Sequence, residues 1–315
     1  MSKIIIGIHG LGNKPPKNIL KEWWEKSILE GVNKYNFPVR DFDFELVYWA
    51  DILNKEPLNP DEKNRLSSLF LAEKYVHEQN SISSEPTGLR KKAVDYLEKY
   101  YEKILVNGVM SLDHPSLTDL FIHFNLRDLE SYYSLSSIYY QGVKRLVRDV
   151  MIERLTDVLN KHKNKKILLI AHSMGSIIAH DTLIDHSADI NVDTLVTIGS
   201  PLGQKYVLNK INLEQNSNSK NKLKVPDCIL KNWYNLCDLE DQVAFVHTLS
   251  EIYECNSKGL KVIDKLVKNN YMISDDRNPH KSYGYLRTRE FAEIFNEFTT
   301  PEKHSLFTFL KKIFQ

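Results

Sequence analysis

Short, unbroken apolar runs alternate along this chain with segments in which apolar residues recur every three or four positions. The runs are Ile4 to His9, Phe44 to Trp49, Ile167 to Ile170, Val192 to Ile198, Ile229 to Leu236 and Leu260 to Val267. Runs of this kind are typical of buried strands. The periodic segments predict helices at about Asn18 to Lys34, Val143 to Leu159, Ile177 onward, Val243 to Tyr253 and Leu286 to Phe298. The alternation predicts an α/β fold.

The alternation is interrupted between Asn54 and about Ser137 by charged, tyrosine-rich segments with several prolines. Apolar spacing predicts helices within Ala93 to Leu105 and Leu117 to Leu126. We therefore expect residues 1–53 and 138–315 to form the core and residues 54–137 to be a helical insertion. Two interpretations stay open for this insertion: a cap or lid over the site, or a layer packed on one flank.

Two other segments lie outside this pattern. Residues 212–224 are rich in Asn, Ser and Lys, which is the composition of a surface loop. After Pro301 an apolar stripe predicts a C-terminal helix, which we expect to close the core; docking on a membrane or a partner is the alternative.

Composition narrows the possible partners and the compartment. The chain has 42 Lys and Arg against 41 Asp and Glu, so no overall field favours nucleic acid or an anionic membrane. The three cysteines are odd in number and lack metal-ligand spacing, which indicates free thiols in the cytoplasm. The first apolar run is too short for a signal core or a transmembrane segment.

The strongest candidate for chemistry is Ser173, which lies between the apolar run ending at Ile170 and the helix predicted from Ile177. A sharp strand-to-helix turn that exposes a serine hydroxyl needs small residues two positions before and after it, here Ala171 and Gly175. Ser173 as an ordinary helix N-cap is the alternative.

A second candidate is the segment His9 to Gly12, which follows the first predicted strand. Backbone N–H groups in such a glycine-rich loop can point at the negative oxygen of a tetrahedral intermediate. The alternative is a strand-ending turn with a histidine that faces the core.

Together the Ala-His-Ser-Met-Gly and His-Gly-Leu-Gly segments resemble those of α/β-hydrolase superfamily serine hydrolases, and small bacterial lipases and esterases in particular. The resemblance implies a mostly parallel central sheet with helices on both faces. It also implies Ser173 as nucleophile and the N–H groups of Leu11 and Met174 as the oxyanion hole, with site residues in the chain order serine, acid, histidine. No metal or organic cofactor is required.

Among the histidines beyond Ser173, His280 is the expected base because it lies in a loop after the last predicted strand and directly before a helix. His247 falls on a predicted helix and His304 in the C-terminal tail. His9, His172 and His180 are assigned to packing. For the acid, Asp241 is favoured and Asp238 is the alternative, with Glu240 third. An acidic turn that caps the following helix would equally explain Asp241.

These residues predict a serine hydrolase that cleaves a carboxylic ester through an acyl-enzyme, acting on a small-molecule or lipid-like acyl substrate. Thioesterase, amidase, peptidase and acyltransferase activities use the same three residue types, so they stay open. A rival of another class is a non-catalytic binding protein with a hydrolase-like fold. The sequence does not indicate an oligomeric state.

Overall fold

A computed structural model of the chain describes residues 2–78, 127–214 apart from 135, 187 and 189, 223–273 and 276–301. The predicted helices within Ala93 to Leu105, within Leu117 to Leu126 and after Pro301 lie outside these residues, as do residues 215–222 of the predicted surface loop. The first half of the described chain comprises β1 (Lys3–Ile8), α1 (Lys17–Lys34), β2 (Phe44–Val47), α2 (Ala50–Leu53), β3 (Ser137–Tyr140), β4 (Val143–Leu146), α3 (Val147–Lys161), β5 (Lys166–His172) and α4 (Met174–Asp185).

The remaining elements complete the sheet and both of its helical layers. They are β6 (Val192–Ile198), α5 (Lys205–Glu214), β7 (Leu223–Lys224), β8 (Ile229–Cys237), α6 (Leu249–Ile252), β9 (Tyr253–Glu254), β10 (Val262–Leu266), β11 (Met272–Ile273), β12 (Asp276–Arg277), α7 (Ser282–Leu286) and α8 (Arg289–Thr299). Residues 127–133 are also helical.

Six parallel strands form the central sheet in the order β10-β8-β6-β5-β1-β2. Successive residues of a strand point to opposite faces, and both faces of β1 are buried. Ile4, Ile6 and Ile8 pack with α3, α4 and α5, whereas Ile5 packs with α1, α7 and α8. The expected parallel sheet with helices on both faces is therefore confirmed.

Strand order places two of the predicted segments side by side. β1 pairs with β5 from Lys3 against Lys166 to Ile8 against Ala171, so the loop after β1 and the turn after β5 leave the same edge of the sheet. The loops after β6, β8 and β10 leave this carboxyl edge too, because all these strands are parallel. Ligands of open α/β sheets bind at this edge, where the strand order reverses.

The helix predicted from Val143 was placed too early. Residues Ser137–Tyr140 and Val143–Leu146 form a hairpin whose turn residues, Gln141 and Gly142, have φ values of 50° and 80°. Positive φ at both positions is the geometry of a two-residue hairpin turn. The helix begins at Val147.

The helix predicted over Val243 to Tyr253 is wrong for its first six residues. The Asp241 carboxylate accepts the N–H groups of Val243 and Ala244, which holds this part as a turn. The Asp264 carboxylate on β10 accepts the N–H groups of Leu249 and Ser250, so the helix begins only there.

Candidate active site

Ser173 lies in the turn between β5 and α4 with a backbone conformation that is rare for a residue with a side chain. Its φ and ψ are 53° and −128°, and such strain costs about 1–3 kcal/mol. Ser173 occupies the N-cap position of α4, but its side chain caps no N–H of that helix. The Ser173 hydroxyl therefore does not serve as a helix cap and is available for other contacts.

Gly175 allows α4 to begin directly against the end of β1. A Cβ atom at this position would lie 2.7 Å from the carbonyl oxygens of Ile8 and His9, which is closer than a carbon can approach. Only glycine fits this position without movement of one of the two segments. The small residue expected here is thus required by packing as well as by the turn.

The His280 imidazole connects Ser173 to Asp241. Its Nε2 lies 3.0 Å from the Ser173 Oγ, and its Nδ1 lies 2.9 and 3.0 Å from the two Asp241 carboxylate oxygens. Since a carboxylate only accepts, Nδ1 carries a proton, and in the neutral ring Nε2 accepts the hydrogen bond from the serine hydroxyl. Residues that are far apart in sequence thus form one continuous hydrogen-bond chain.

The Asp241 carboxylate is fully buried and accepts several hydrogen bonds. Besides His280, it accepts the N–H groups of Val243 and Ala244 and, at 2.6 Å, the Tyr285 hydroxyl. Several hydrogen-bond donors together stabilise a buried negative charge. Asp241 therefore does not act merely as a helix-capping residue.

Gly199, directly after β6, makes room for this contact. Its φ is +56°, and a Cβ there would lie 2.9 Å from the Asp241 Oδ2 and 3.1 Å from the His280 Nδ1. A side chain at this position would push the acid and the histidine apart.

Asp238 and Glu240 contact Arg277, and neither has a contact with His280 among the described residues. The Asp238 Oδ2 accepts from the Arg277 Nη2 at 2.6 Å and from the Asn269 N–H at 2.6 Å. Glu240 pairs with the Arg277 Nη1 from an exposed position. The geometry thus places Asp241 against the histidine, and Asp238 anchors the chain beneath it.

Two side chains hold the loop that carries His280. The Asn269 amide donates to the carbonyls of Pro279 and Lys281 at 2.7 and 2.8 Å. The His172 Nε2 donates to the His280 carbonyl at 2.8 Å. Burial, and then the neighbouring His280, lower the pKa of His172 well below its usual value, so His172 is neutral.

Of the remaining candidate histidines, those that the structure describes make no hydrogen bond to Ser173 or Asp241. His180 is buried beside Asp181, with 3.3 Å between its Nδ1 and the carboxylate. His247 lies in the turn before α6 and not on a helix. His9 is buried and stacks on Trp49, with ring centroids 4.7 Å apart. His304 lies outside the described residues.

The loop after β1 lies over the serine. A Cβ on Gly10 would be 2.6 Å from the Ser173 Cβ, so the two backbones are in close contact. Among the residues that the structure describes, neither the Leu11 N–H nor the Met174 N–H donates a hydrogen bond. Met174 is the first residue of α4, where N–H groups and the helix dipole favour a negative charge.

The sequence alone does not single out Tyr285 or Asn269 as parts of the site. Asn269 follows β10 at the same sheet edge as the other site residues, and this position is the one signal that could have identified it. The chain has 16 tyrosines, and no local pattern distinguishes Tyr285 from the rest.

Comparison with known families agrees with this architecture. A family model described as "PGAP1-like alpha/beta domain" matches residues 133–283, just under half of the chain. The chain has an α/β-hydrolase-like fold. The matched segment of this hydrolase-like chain runs from the last of the helical residues 127–133 into α7, and Leu11 precedes it.

One solved structure aligns with most of this chain at low similarity. A structure described as the 2.75 Angstrom resolution crystal structure of an uncharacterized protein from Bacillus cereus ATCC 10987 is similar over 94% of this chain, at 12% identity and a TM-score of 0.30. The alignment covers 57% of that protein, so the chain spans little more than half of its length. No curated protein matches the chain.

The described part of the chain contains neither a candidate membrane-spanning helix nor a candidate metal cluster. None of its helices combines the length and apolar character needed to cross a membrane. Within the same residues, no three His, Cys, Asp or Glu side chains are grouped so that they could hold a metal ion.

Proposed function

We propose that this hydrolase-like protein is a serine hydrolase that cleaves a carboxylic ester through an acyl-enzyme intermediate. One observation carries the proposal: the Ser173 hydroxyl, the His280 imidazole and the Asp241 carboxylate form a continuous chain of hydrogen bonds of 3.0 and 2.9 Å. The strained backbone of Ser173 supports the same conclusion, because such strain is concentrated at functional positions.

In the first half of the proposed reaction, Ser173 Oγ attacks the acyl carbonyl as His280 Nε2 takes its proton. The imidazolium that forms is stabilised by Asp241, which also keeps the Nδ1 proton in place. The unpartnered N–H groups of Leu11 and Met174 are the proposed donors to the oxyanion. His280 then gives its proton to the departing alcohol, and Ser173 retains the acyl group.

In the second half, water attacks the acyl-enzyme and His280 removes its proton. Collapse of the second tetrahedral intermediate releases the carboxylic acid and returns the proton to Ser173. Every proton thus moves between Ser173, His280, water and substrate.

The proposed compartment is the cytoplasm. Cys228, Cys237 and Cys255 are all free thiols, and two of them are buried. Free thiols are common in reducing compartments.

A substrate panel tests the proposed function. Purified protein is assayed with matched oxygen esters, thioesters and anilides of short and medium acyl length, and kcat/KM is measured for each. We expect turnover of oxygen esters that disappears in Ser173→Ala. The matched control is Ser176→Ala, which removes a hydroxyl three residues along the same turn, bonded to the Ser173 carbonyl and not to His280.

The panel also separates the rival functions. Faster turnover of thioesters or anilides would replace the esterase proposal with a thioesterase or amidase on the same three residues. Folded wild type without turnover of any member would favour a non-catalytic binding protein.

A further inference from the structure

The imidazole of His9 is buried at the start of the loop that lies over Ser173, and both of its nitrogens bond to backbone. Its Nδ1 lies 2.9 Å from the Gly10 carbonyl oxygen, and its Nε2 lies 3.1 Å from the Trp49 nitrogen. A carbonyl only accepts and an N–H only donates. The ring is therefore neutral, with its proton on Nδ1.

Other contacts stabilise this arrangement. The ring stacks on Trp49, and the Trp49 indole N–H donates to the His9 carbonyl at 2.9 Å. Burial, followed by the charge of Lys14, lowers the pKa of His9 well below its usual value. A protonated ring would also lose the hydrogen bond from the Trp49 N–H.

The hydrogen bond to the Gly10 carbonyl determines the direction of the Leu11 N–H. In a trans peptide the C=O and the following N–H point in opposite directions, and the described chain contains no cis peptide. Because the Gly10 carbonyl bonds to the His9 ring, the Leu11 N–H points away from that ring. Gly10 itself packs against Ser173, so the peptide that carries this N–H lies beside the serine.

Neighbouring polar groups of the loop are occupied by other side chains. The Gly12 N–H donates to the Asp128 Oδ2 at 2.7 Å, and the Lys14 ammonium donates to the Leu11 carbonyl. The Leu11 N–H is left without a partner among the described residues. The loop is thus fixed on both sides of one free donor.

We propose that His9 is a positioning residue that aims the Leu11 N–H at the oxyanion by holding the Gly10 carbonyl with its Nδ1–H group. This inference rests on the proposed hydrolase function and assigns a role to a residue that sequence analysis assigned to packing. His9 touches no reacting atom; it acts through the backbone of the loop.

Two substitutions separate the roles of the two ring nitrogens. His9→Asn keeps an amide N–H at the position of Nδ1 and loses the acceptor for Trp49. His9→Gln places its amide near the position of Nε2 and leaves no donor at the position of Nδ1. We expect kcat to fall roughly 100-fold in His9→Gln, as for loss of one oxyanion donor, and less than about 10-fold in His9→Asn. KM should change little in either variant.

Binding of a tetrahedral adduct distinguishes a changed orientation of the Leu11 N–H from a general disruption of the active site. The inhibition constant of an alkyl boronic acid should rise in proportion to the loss of kcat across wild type, His9→Asn and His9→Gln. Complete covalent labelling of Ser173 by a slowly reacting fluorophosphonate in each variant would show that the nucleophile is intact. Equal losses in both variants, or unchanged boronate affinity in His9→Gln, would overturn the inference.

The protonation state of His9 can be tested in the unsubstituted protein, which covers the case that the variants do not fold. Long-range ¹H–¹⁵N correlation spectra should show His9 as the neutral tautomer protonated on Nδ1 near pH 7. An Nε2-protonated or doubly protonated ring would overturn the inference. Absence of ester turnover in wild type would instead reject the proposed function, so the two failures are distinguishable.

Discussion

At the scale of single residues, the environment of Asp241 explains how a buried charge is kept next to His280. The Tyr285 hydroxyl donates to Asp241 and accepts from the Asp238 N–H at 3.1 Å, so it links the acidic turn to the helix after the histidine. Burial and the Asp241 charge raise the pKa of Tyr285 well above its usual value, which keeps the hydroxyl a donor.

Asp241→Asn and Asp238→Asn form a matched pair that tests which acid serves His280. We expect Asp241→Asn to lower kcat by roughly 10³- to 10⁴-fold with the fold retained, because the amide no longer holds the Nδ1 proton. Asp238→Asn weakens the buried pair with Arg277, which still pairs with Glu240, and should lower the free energy of unfolding by roughly 1–3 kcal/mol.

Kinetics and urea denaturation of both variants check this expectation. A larger kcat loss per folded molecule in Asp238→Asn than in Asp241→Asn would contradict the assignment of Asp241 as the acid.

The buried neutral histidines predict how stability depends on pH. The folded-state pKa values of His9 and His172 are well below the unfolded value of about 6.5, so below that pH the unfolded chain binds more protons than the native protein. Stability is therefore lost as pH falls below about 6.5, by up to about 1.4 kcal/mol per pH unit for each histidine.

Denaturation of wild type and His172→Gln between pH 8 and pH 5 measures this effect. The variant should lose less stability over that range, by about one histidine's contribution, since glutamine does not titrate. Parallel curves for the two proteins would show that His172 is not held neutral.

At the scale of elements, the turn between β5 and α4 depends on its close contact with the end of β1. Gly175→Ala would place a Cβ against two carbonyl oxygens at 2.7 Å, and we expect roughly 1–3 kcal/mol of destabilisation together with a large loss of activity. The movement that relieves the clash would displace Ser173 or the loop over it.

Gly259→Ala is the matched control for this substitution. Gly259 has a φ of +77°, and a Cβ added there would meet no atom within 4 Å, so alanine costs backbone strain at this position without a clash. We expect similar destabilisation of the two variants and normal activity per folded molecule in Gly259→Ala only. Comparable activities in both would contradict a role for the Gly175 contact.

Elements whose signal is local could be predicted from the sequence, and those set by distant contacts could not. Buried strands such as β6 consist of a continuous apolar run, and the predicted bounds of β6, Val192 to Ile198, are those observed. The start of α6 depends on Asp264, a residue of β10, which the local apolar period does not include. Val143 and Leu146 fit the apolar spacing of the following helix, so the sequence predicted a helix where the hairpin strand β4 lies.

At the scale of the whole molecule, parallel strands bring the site residues to one edge of the sheet. This gathering could be predicted, because Ser173, Asp241 and His280 each follow a predicted strand in the expected order. The contacts of Asn269, Tyr285 and His9 could not, because they depend on how the connecting loops pack on one another.

The described start of the segment predicted as an insertion also reaches this edge. Glu73 accepts from the Asn278 amide at 2.6 Å and from the Lys281 ammonium at 3.1 Å, and the Asn278 side chain in turn accepts from the His280 N–H. One carboxylate thus binds side chains on both flanks of His280.

Because of these two contacts, we expect replacement of Glu73 to have a modest effect on activity. We expect Glu73→Ala to lower kcat/KM about two- to fivefold, as fits a partly exposed pair, and Glu73→Gln to lose less because its amide oxygen still accepts from Asn278. Steady-state kinetics at constant salt measure the difference. Full activity in Glu73→Ala would mean that the His280 loop is held without this contact.

The most direct test of the central claim is covalent labelling of the folded protein with a fluorophosphonate, followed by intact mass measurement and peptide mapping. The proposed mechanism predicts one adduct per chain, located on Ser173, absent in Ser173→Ala and formed far more slowly in His280→Ala. An unlabelled wild type that is shown to be folded, or an adduct on a different serine, would contradict the claim that Ser173, His280 and Asp241 work together as a catalytic triad.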